Sequence, residues 1–223
     1  MKIKILLVAF SVLLMGTCSA SALPTLYDLT GDPDHIGIVD SGMELARVVD
    51  TSDPVESVTT IVLENAGYAD ENEFGIFNPN NPSEKLRVFR GYNDPGDSRT
   101  LVFDPANGQA WIDPYFPWIE PDKKYIDPIF GFYLESPDGT FYSVSSLNSD
   151  SEDHFLIFGV GGDDNVLYAA AEDQSYPGSD ADFNDFVMSG TNMAPVNPVP
   201  EPMAMLTILF TGLGFLARKF KKA

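Results

Sequence analysis

Short runs in which apolar residues alternate with polar or small ones recur through the middle of the chain. Ile129 to Leu134 puts Phe130, Phe132 and Leu134 on one side and Gly131 and Tyr133 on the other, the period of two that a strand requires. Other β-rich runs lie at Val58 to Leu63, Lys85 to Phe89, Thr100 to Phe103, Thr140 to Val144, His154 to Val160, Val166 to Ala171 and Asp185 to Met188. Phe155-Leu156-Ile157-Phe158 has no polar alternation, which predicts a strand buried on both faces. Turn residues separate these runs: Asn93-Asp94-Pro95-Gly96, Asn107-Gly108, Pro137-Asp138-Gly139, Gly161-Gly162-Asp163-Asp164-Asn165 and Tyr176-Pro177-Gly178. The only helical candidate is a weak one, from Gly42 to Val49. The pattern predicts an all-β chain in which residues 23–190 form a single antiparallel β-sandwich of jelly-roll-like type. The full length of 223 residues suits one such unit.

The two ends follow a different pattern. Met1-Lys2-Ile3-Lys4 leads into an apolar run from Ile5 to Met15 and then to Ala20-Ser21-Ala22, the order of a secretory signal peptide over residues 1–22. The one cysteine, Cys18, lies inside that segment, so the mature protein is expected to lack disulfides and thiolate chemistry. Residues 191–199 read as a Pro-rich extended linker. Residues 200–223 begin with Pro200-Glu201-Pro202, continue in an apolar stretch from Met203 to Ala217, and end in Arg218-Lys219-Phe220-Lys221-Lys222-Ala223. That stretch is short beside the ~20 residues of an ordinary membrane span, and the basic cluster would hold its end in the cytoplasm. A permanent short anchor is one reading.

The terminal motif, the adjoining apolar segment with Gly212 and Gly214, and the basic tail together resemble the bacterial PEP-CTERM sorting signal. The resemblance implies a Gram-negative cell with an exopolysaccharide-producing envelope. It also implies transient insertion of the helix in the inner membrane, processing by the transpeptidase exosortase, and an extracellular or cell-surface destination.

Charge narrows the function classes. The chain has 13 Lys+Arg against 33 Asp+Glu, a formal charge of −20, so the phosphate-neutralising footprint of a nucleic-acid binder is missing. Between residues 23 and 199, seven basic residues face 32 acidic ones. Such a surface repels itself, and a divalent cation would relieve part of that repulsion.

The densest acidic chemistry lies between Glu172 and Asp185. Asp180, Asp182 and Asn184 fall at i, i+2 and i+4, a spacing that lets a curled loop aim three oxygen side chains at one point. Glu172, Asp173 and Asp185 complete a candidate Ca2+ shell of hard oxygen ligands. The loop is not an EF-hand: counted from Asp180, the sixth position is Asp185 where Gly is required, and the twelfth is Thr191 where Glu belongs. A solvated acidic turn is the alternative.

Phe130 to Leu134, Phe141-Tyr142-Ser143, Ser146-Leu147-Asn148, Asp153-His154-Phe155, Glu172-Asp173 and Ser179 to Asp185 occur in the order of the bacterial domain-of-unknown-function family 4114, which residues 127–190 resemble. The resemblance implies a secreted or surface protein whose signature is the Glu-Asp pair and the Asp-x-Asp-Phe-Asn-Asp loop. It assigns no activity. Residues 60–103 resemble the half often found upstream.

Catalysis finds little in the chain to work with. His35 and His154 are the only histidines, and no metalloprotease, Cys-based or nucleophile-elbow motif occurs. His154 reads as a structural, hydrogen-bonding histidine. Trp111, Tyr115 and Trp118 lie among prolines in a segment not expected to be a regular strand, and they are candidate glycan contacts or rings folded into the core. The expectation is a non-enzymatic, calcium-stabilised protein of the exopolysaccharide or biofilm matrix. A carbohydrate-binding or adhesive module is the alternative, and a polysaccharide-acting hydrolase comes third.

Overall fold

In the computed structural model, residues 43–50, 53–113, 120–159 and 166–196 are described. The signal peptide, residues 197–199 of the linker, the Pro200-Glu201-Pro202 motif with its apolar segment, and Tyr115 and Trp118 lie outside them.

Twelve strands follow one another: β1 (Leu45–Val48), β2 (Val55–Glu64), β3 (Glu73–Asn78), β4 (Asn81–Arg90), β5 (Ser98–Asp104), β6 (Gln109–Ile112), β7 (Ile129–Ser136), β8 (Gly139–Tyr142), β9 (Phe155–Gly159), β10 (Val166–Ala171), β11 (Phe186–Thr191) and β12 (Met193–Val196). They form two six-stranded antiparallel sheets. One runs β12-β1-β7-β3-β4, with β8 also pairing with β7, and the other runs β6-β5-β2-β11-β10-β9. Among the described residues no helix is long and apolar enough to cross a membrane.

The alternation read from the sequence is what joins the sheets. Phe130, Phe132 and Leu134 of β7 all enter the main core. Phe130 stacks on Phe103 of β5 at 5.1 Å, and Phe74 of β3 stacks on Phe186 of β11 at 4.8 Å, so aromatic pairs bridge the sheets in two places. Tyr133 takes the opposite side of β7, where its ring lies over Gly75. A Cβ at Gly75 would stand 2.6 Å from that ring, so only glycine fits there.

Strand β9 is buried on both faces, as its unbroken apolar run requires. Phe155 and Ile157 join the main core, while Leu156 and Phe158 build a second cluster with Leu63, Ala170 and Val187. That second cluster is covered in part by Phe183, a residue of the acidic loop.

Three segments differ from the sequence reading. The described part of Gly42 to Val49 is strand β1, not helix: Ala46 and Val48 are buried while Arg47 is exposed, and four residues are too few to separate the two periods. The 191–199 linker begins inside the sandwich, because Thr191 ends β11 and β12 pairs with β1 from Leu45↔Val196 to Val48↔Met193. Pro195 is tolerated there because β12 is an edge strand. Trp111, placed outside regular structure by its proline neighbours, belongs to β6 and pairs with Val102.

Candidate metal centre

Strand β10 ends at Ala171 and pairs there with Phe186, the first residue of β11. The segment between them, residues 172–185, is thus a long loop whose two ends are fixed side by side. Burial of Phe186 in the core holds one end, and complete burial of Glu172 and Asp173 holds the other.

Within the loop the backbone reverses its handedness twice. Ala181 (φ 59°) and Phe183 (φ 53°) both occupy the left-handed region, uncommon for residues other than glycine. These two residues alternate with Asp180, Asp182 and Asn184, so the loop curls rather than extends. Local bonds hold the curl: Ala181 N–H donates to Ser179 Oγ at 3.0 Å, and Asn184 N–H donates to Asp182 Oδ1 at 3.1 Å.

One carboxylate oxygen from each of Glu172, Asp180 and Asp182 lies within 4.8 Å of the others. Oxygens bound to one calcium ion at ~2.3–2.6 Å stand no more than roughly 5 Å apart, so the spacing fits a single ion of that size. Glu172 is buried, Asp182 half-buried and Asp180 exposed, which leaves one side of the cluster open for water ligands. A cleft of about 200 Å³ adjoins it, lined by Asn65, Gln174, Ser179 and Asp185 together with Glu172 and Asp180. Among the described residues no lysine or arginine lines that cleft.

The electrostatics agree with the geometry. Burial is the main cause that pushes the Glu172 carboxyl above its ordinary range; hydrogen bonds from the Ser179 hydroxyl and the Phe183 N–H oppose the shift, and the Asp182 and Asp180 charges add to it. Burial also raises Asp185 to about 7, with the Asp173 and Glu172 charges contributing. Glu64, at the end of β2, is likewise pushed up to about 7 by burial and then by Asp94, Asp70 and Asp173. A cation among these carboxylates would favour their charged forms.

The six residues singled out in the sequence do not all face one point. Glu172, Asp180 and Asp182 converge. Asp173 is engaged elsewhere: its Oδ2 accepts from Tyr68 N–H at 3.3 Å and from Asn72 Nδ2 at 3.1 Å. Asp185 accepts from Asp173 N–H at 2.9 Å and lines the cleft, and Asn184 Oδ1 accepts from Asn65 Nδ2 at 3.1 Å while its own amide donates to Asp182. Asp173 and Asn184 thus tie the loop to the segments after β2, and Glu172, Asp180 and Asp182 are the residues that could hold a metal.

Three contributors escaped the sequence reading. Ser179 and the Phe183 N–H brace Glu172, and Asn65 braces Asn184 across a separation of 119 residues. A serine just before the first loop aspartate was a visible signal, since its hydroxyl can form a local turn. Nothing local marks Asn65.

His154 is fully buried, with Nε2 3.0 Å from Asp150 Oδ2 and its ring stacked on Phe141 at 4.3 Å. Trp111 is half-buried under the Lys123 ammonium, 4.3 Å from the ring centre. No family model matches this chain, and no curated protein or solved structure matches it significantly.

Proposed function

We propose that this chain is a non-enzymatic, calcium-stabilised β-sandwich, exported across the inner membrane and sorted to the cell surface or the extracellular polysaccharide matrix. The observation that carries the metal reading is the convergence of Glu172, Asp180 and Asp182 on a loop whose ends open β11 and close β10. Bound there, calcium would tie the loop to the sheet by neutralising carboxylates that otherwise repel one another. An all-oxygen, partly open set drawn from a curled loop suits calcium better than the strict octahedron magnesium demands. Export and sorting rest on the order of signal peptide, Pro200-Glu201-Pro202, apolar segment and basic tail.

Two experiments test the two halves. Calorimetric titration of the chelator-treated protein should show calcium binding that Asp180→Asn with Asp182→Asn abolishes; heat from magnesium equal to that from calcium counts against the site. For sorting, Glu201→Ala should leave the full-length precursor in the inner membrane on fractionation. Appearance of that variant outside the cell at mature size contradicts processing at this motif.

A further inference from the structure

The chain between residues 23 and 199 holds only seven basic residues, and five of them, Lys85, Arg87, Arg90, Arg99 and Lys124, line one groove of about 590 Å³. The groove lies beside β4, the edge strand of its sheet, and reaches Arg99 of β5 and Ile112 of β6, the edge strand of the other. Four of the five lie between Lys85 and Arg99, on β4 and the start of β5, and Glu73, Asp122 and Glu135 line the same groove. No residue of the carboxylate cluster lines this groove.

Three of the five cations already have partners. Arg87 pairs with Glu73 at 2.5 Å, Lys85 with Glu135 at 3.7 Å, and Lys124 with Asp122 at 3.0 Å. Arg90 and Arg99 have no carboxylate at ion-pair distance among the described residues. Arg90 is exposed and lies 5.9 Å from the centre of the Tyr92 ring, and Tyr92 is 69% exposed, the most open large hydrophobic residue in the described structure. Arg99 donates to the Ser98 carbonyl through one nitrogen and feels the Asp97 charge, and among the described residues its fork makes no other side-chain hydrogen bond.

We propose that this groove binds a carboxylate-bearing saccharide, with Arg90 and Arg99 taking the carboxylates and Tyr92 stacking on a sugar ring. Planar guanidinium groups match a carboxylate in two-point geometry, and an exposed phenol ring offers the flat face on which the C–H side of a pyranose packs. A peptide added as a further strand is disfavoured, because β4 begins with Asn81-Pro82, whose proline lacks an N–H, and carries Lys85 and Arg87 along its length. The proposal rests on the reading of the chain as a polysaccharide-associated extracellular protein, but not on calcium.

The test is titration of the purified full chain, in chelator and at low salt, with galacturonate, glucuronate and mannuronate oligomers, with matched neutral oligomers, and with poly-glutamate. At least one uronate series should bind, weaken as salt is raised, and exceed its neutral counterpart. Arg90→Gln with Arg99→Gln should lower that affinity at least roughly tenfold, the scale of losing charge-assisted contacts, at unchanged melting temperature. Tyr92→Ala, with all cations kept, should also weaken the uronate but not poly-glutamate. Asp180→Asn with Asp182→Asn should bind as wild type, so that failure of the metal site and failure of the groove are read separately. Absence of uronate binding, equal binding of neutral oligomers, equal or tighter binding of poly-glutamate, or indifference to the arginine pair overturns the proposal.

Discussion

At position 172 a carboxylate sits at the end of β10 with no exposure to solvent, braced by one hydroxyl and one backbone amide. In the metal-free protein that arrangement has a definite pH signature. Glu172 holds its proton above the ordinary range, and Asp185 and Glu64 hold theirs to about 7 against reference values of 3.8 and 4.5. The folded state then binds more protons than the unfolded chain between roughly pH 4 and 7, so stability falls as pH rises through that window. Asp97, Asp104 and Asp138, whose pKa values are lowered, lose their contribution only at more acid pH and do not offset this fall. The melting temperature in chelator should therefore drop from pH 5 to pH 7.5. Glu172→Gln should flatten part of that drop and abolish the calcium response. A melting temperature that climbs over the same interval contradicts the assignment.

Among the longer elements most were readable from the residues alone; β3 was not, since its four consecutive buried residues, Phe74 to Phe77, show no period of two. Val58 to Leu63, Ile129 to Leu134 and Val166 to Ala171 all lie within strands, because each has enough positions for one face to declare itself. Strands β1, β6 and β12 have four residues each, and β6 and β12 are edges where a neighbouring or internal proline costs little. Their identity comes from pairing with distant partners, which no local pattern carries. The acidic loop is a mixed case. The i, i+2, i+4 spacing of Asp180, Asp182 and Asn184 was legible, but the left-handed conformations of Ala181 and Phe183 between them were not. Phe183 anchors this loop to the second apolar cluster, so Phe183→Ala should loosen it at a cost of about 1–2 kcal/mol, less than for a fully buried phenylalanine. In limited proteolysis the variant should be cut near Tyr176 to Gly178 faster than wild type, and calcium should slow both. Equal cleavage with and without calcium would detach the loop from the metal.

Over the whole molecule, charge is sorted. Carboxylates gather where the loop 172–185 meets the end of β2, and most of the few cations gather beside β4. Four of the groove's five cations fall between Lys85 and Arg99, a basic stretch visible in the sequence, but Glu73, Ile112, Lys124 and Tyr133, which share the groove with them, come from distant segments that only the fold brings there. A protein of formal charge −20 gains from a divalent cation both locally and through reduced self-repulsion. A ligand that binds only the folded state at a hundredfold excess over its Kd stabilises it by ~2.7 kcal/mol. At ~2–4 °C per kcal/mol for a domain of this size, that corresponds to a rise of roughly 5–10 °C. The most direct measurement is the melting temperature of chelator-treated wild type at pH 7.5, recorded before and after calcium is added. The account predicts a rise of that size, absent when Asp180→Asn and Asp182→Asn are combined; an unchanged melting temperature in the wild type would return Glu172, Asp180 and Asp182 to an ordinary acidic turn.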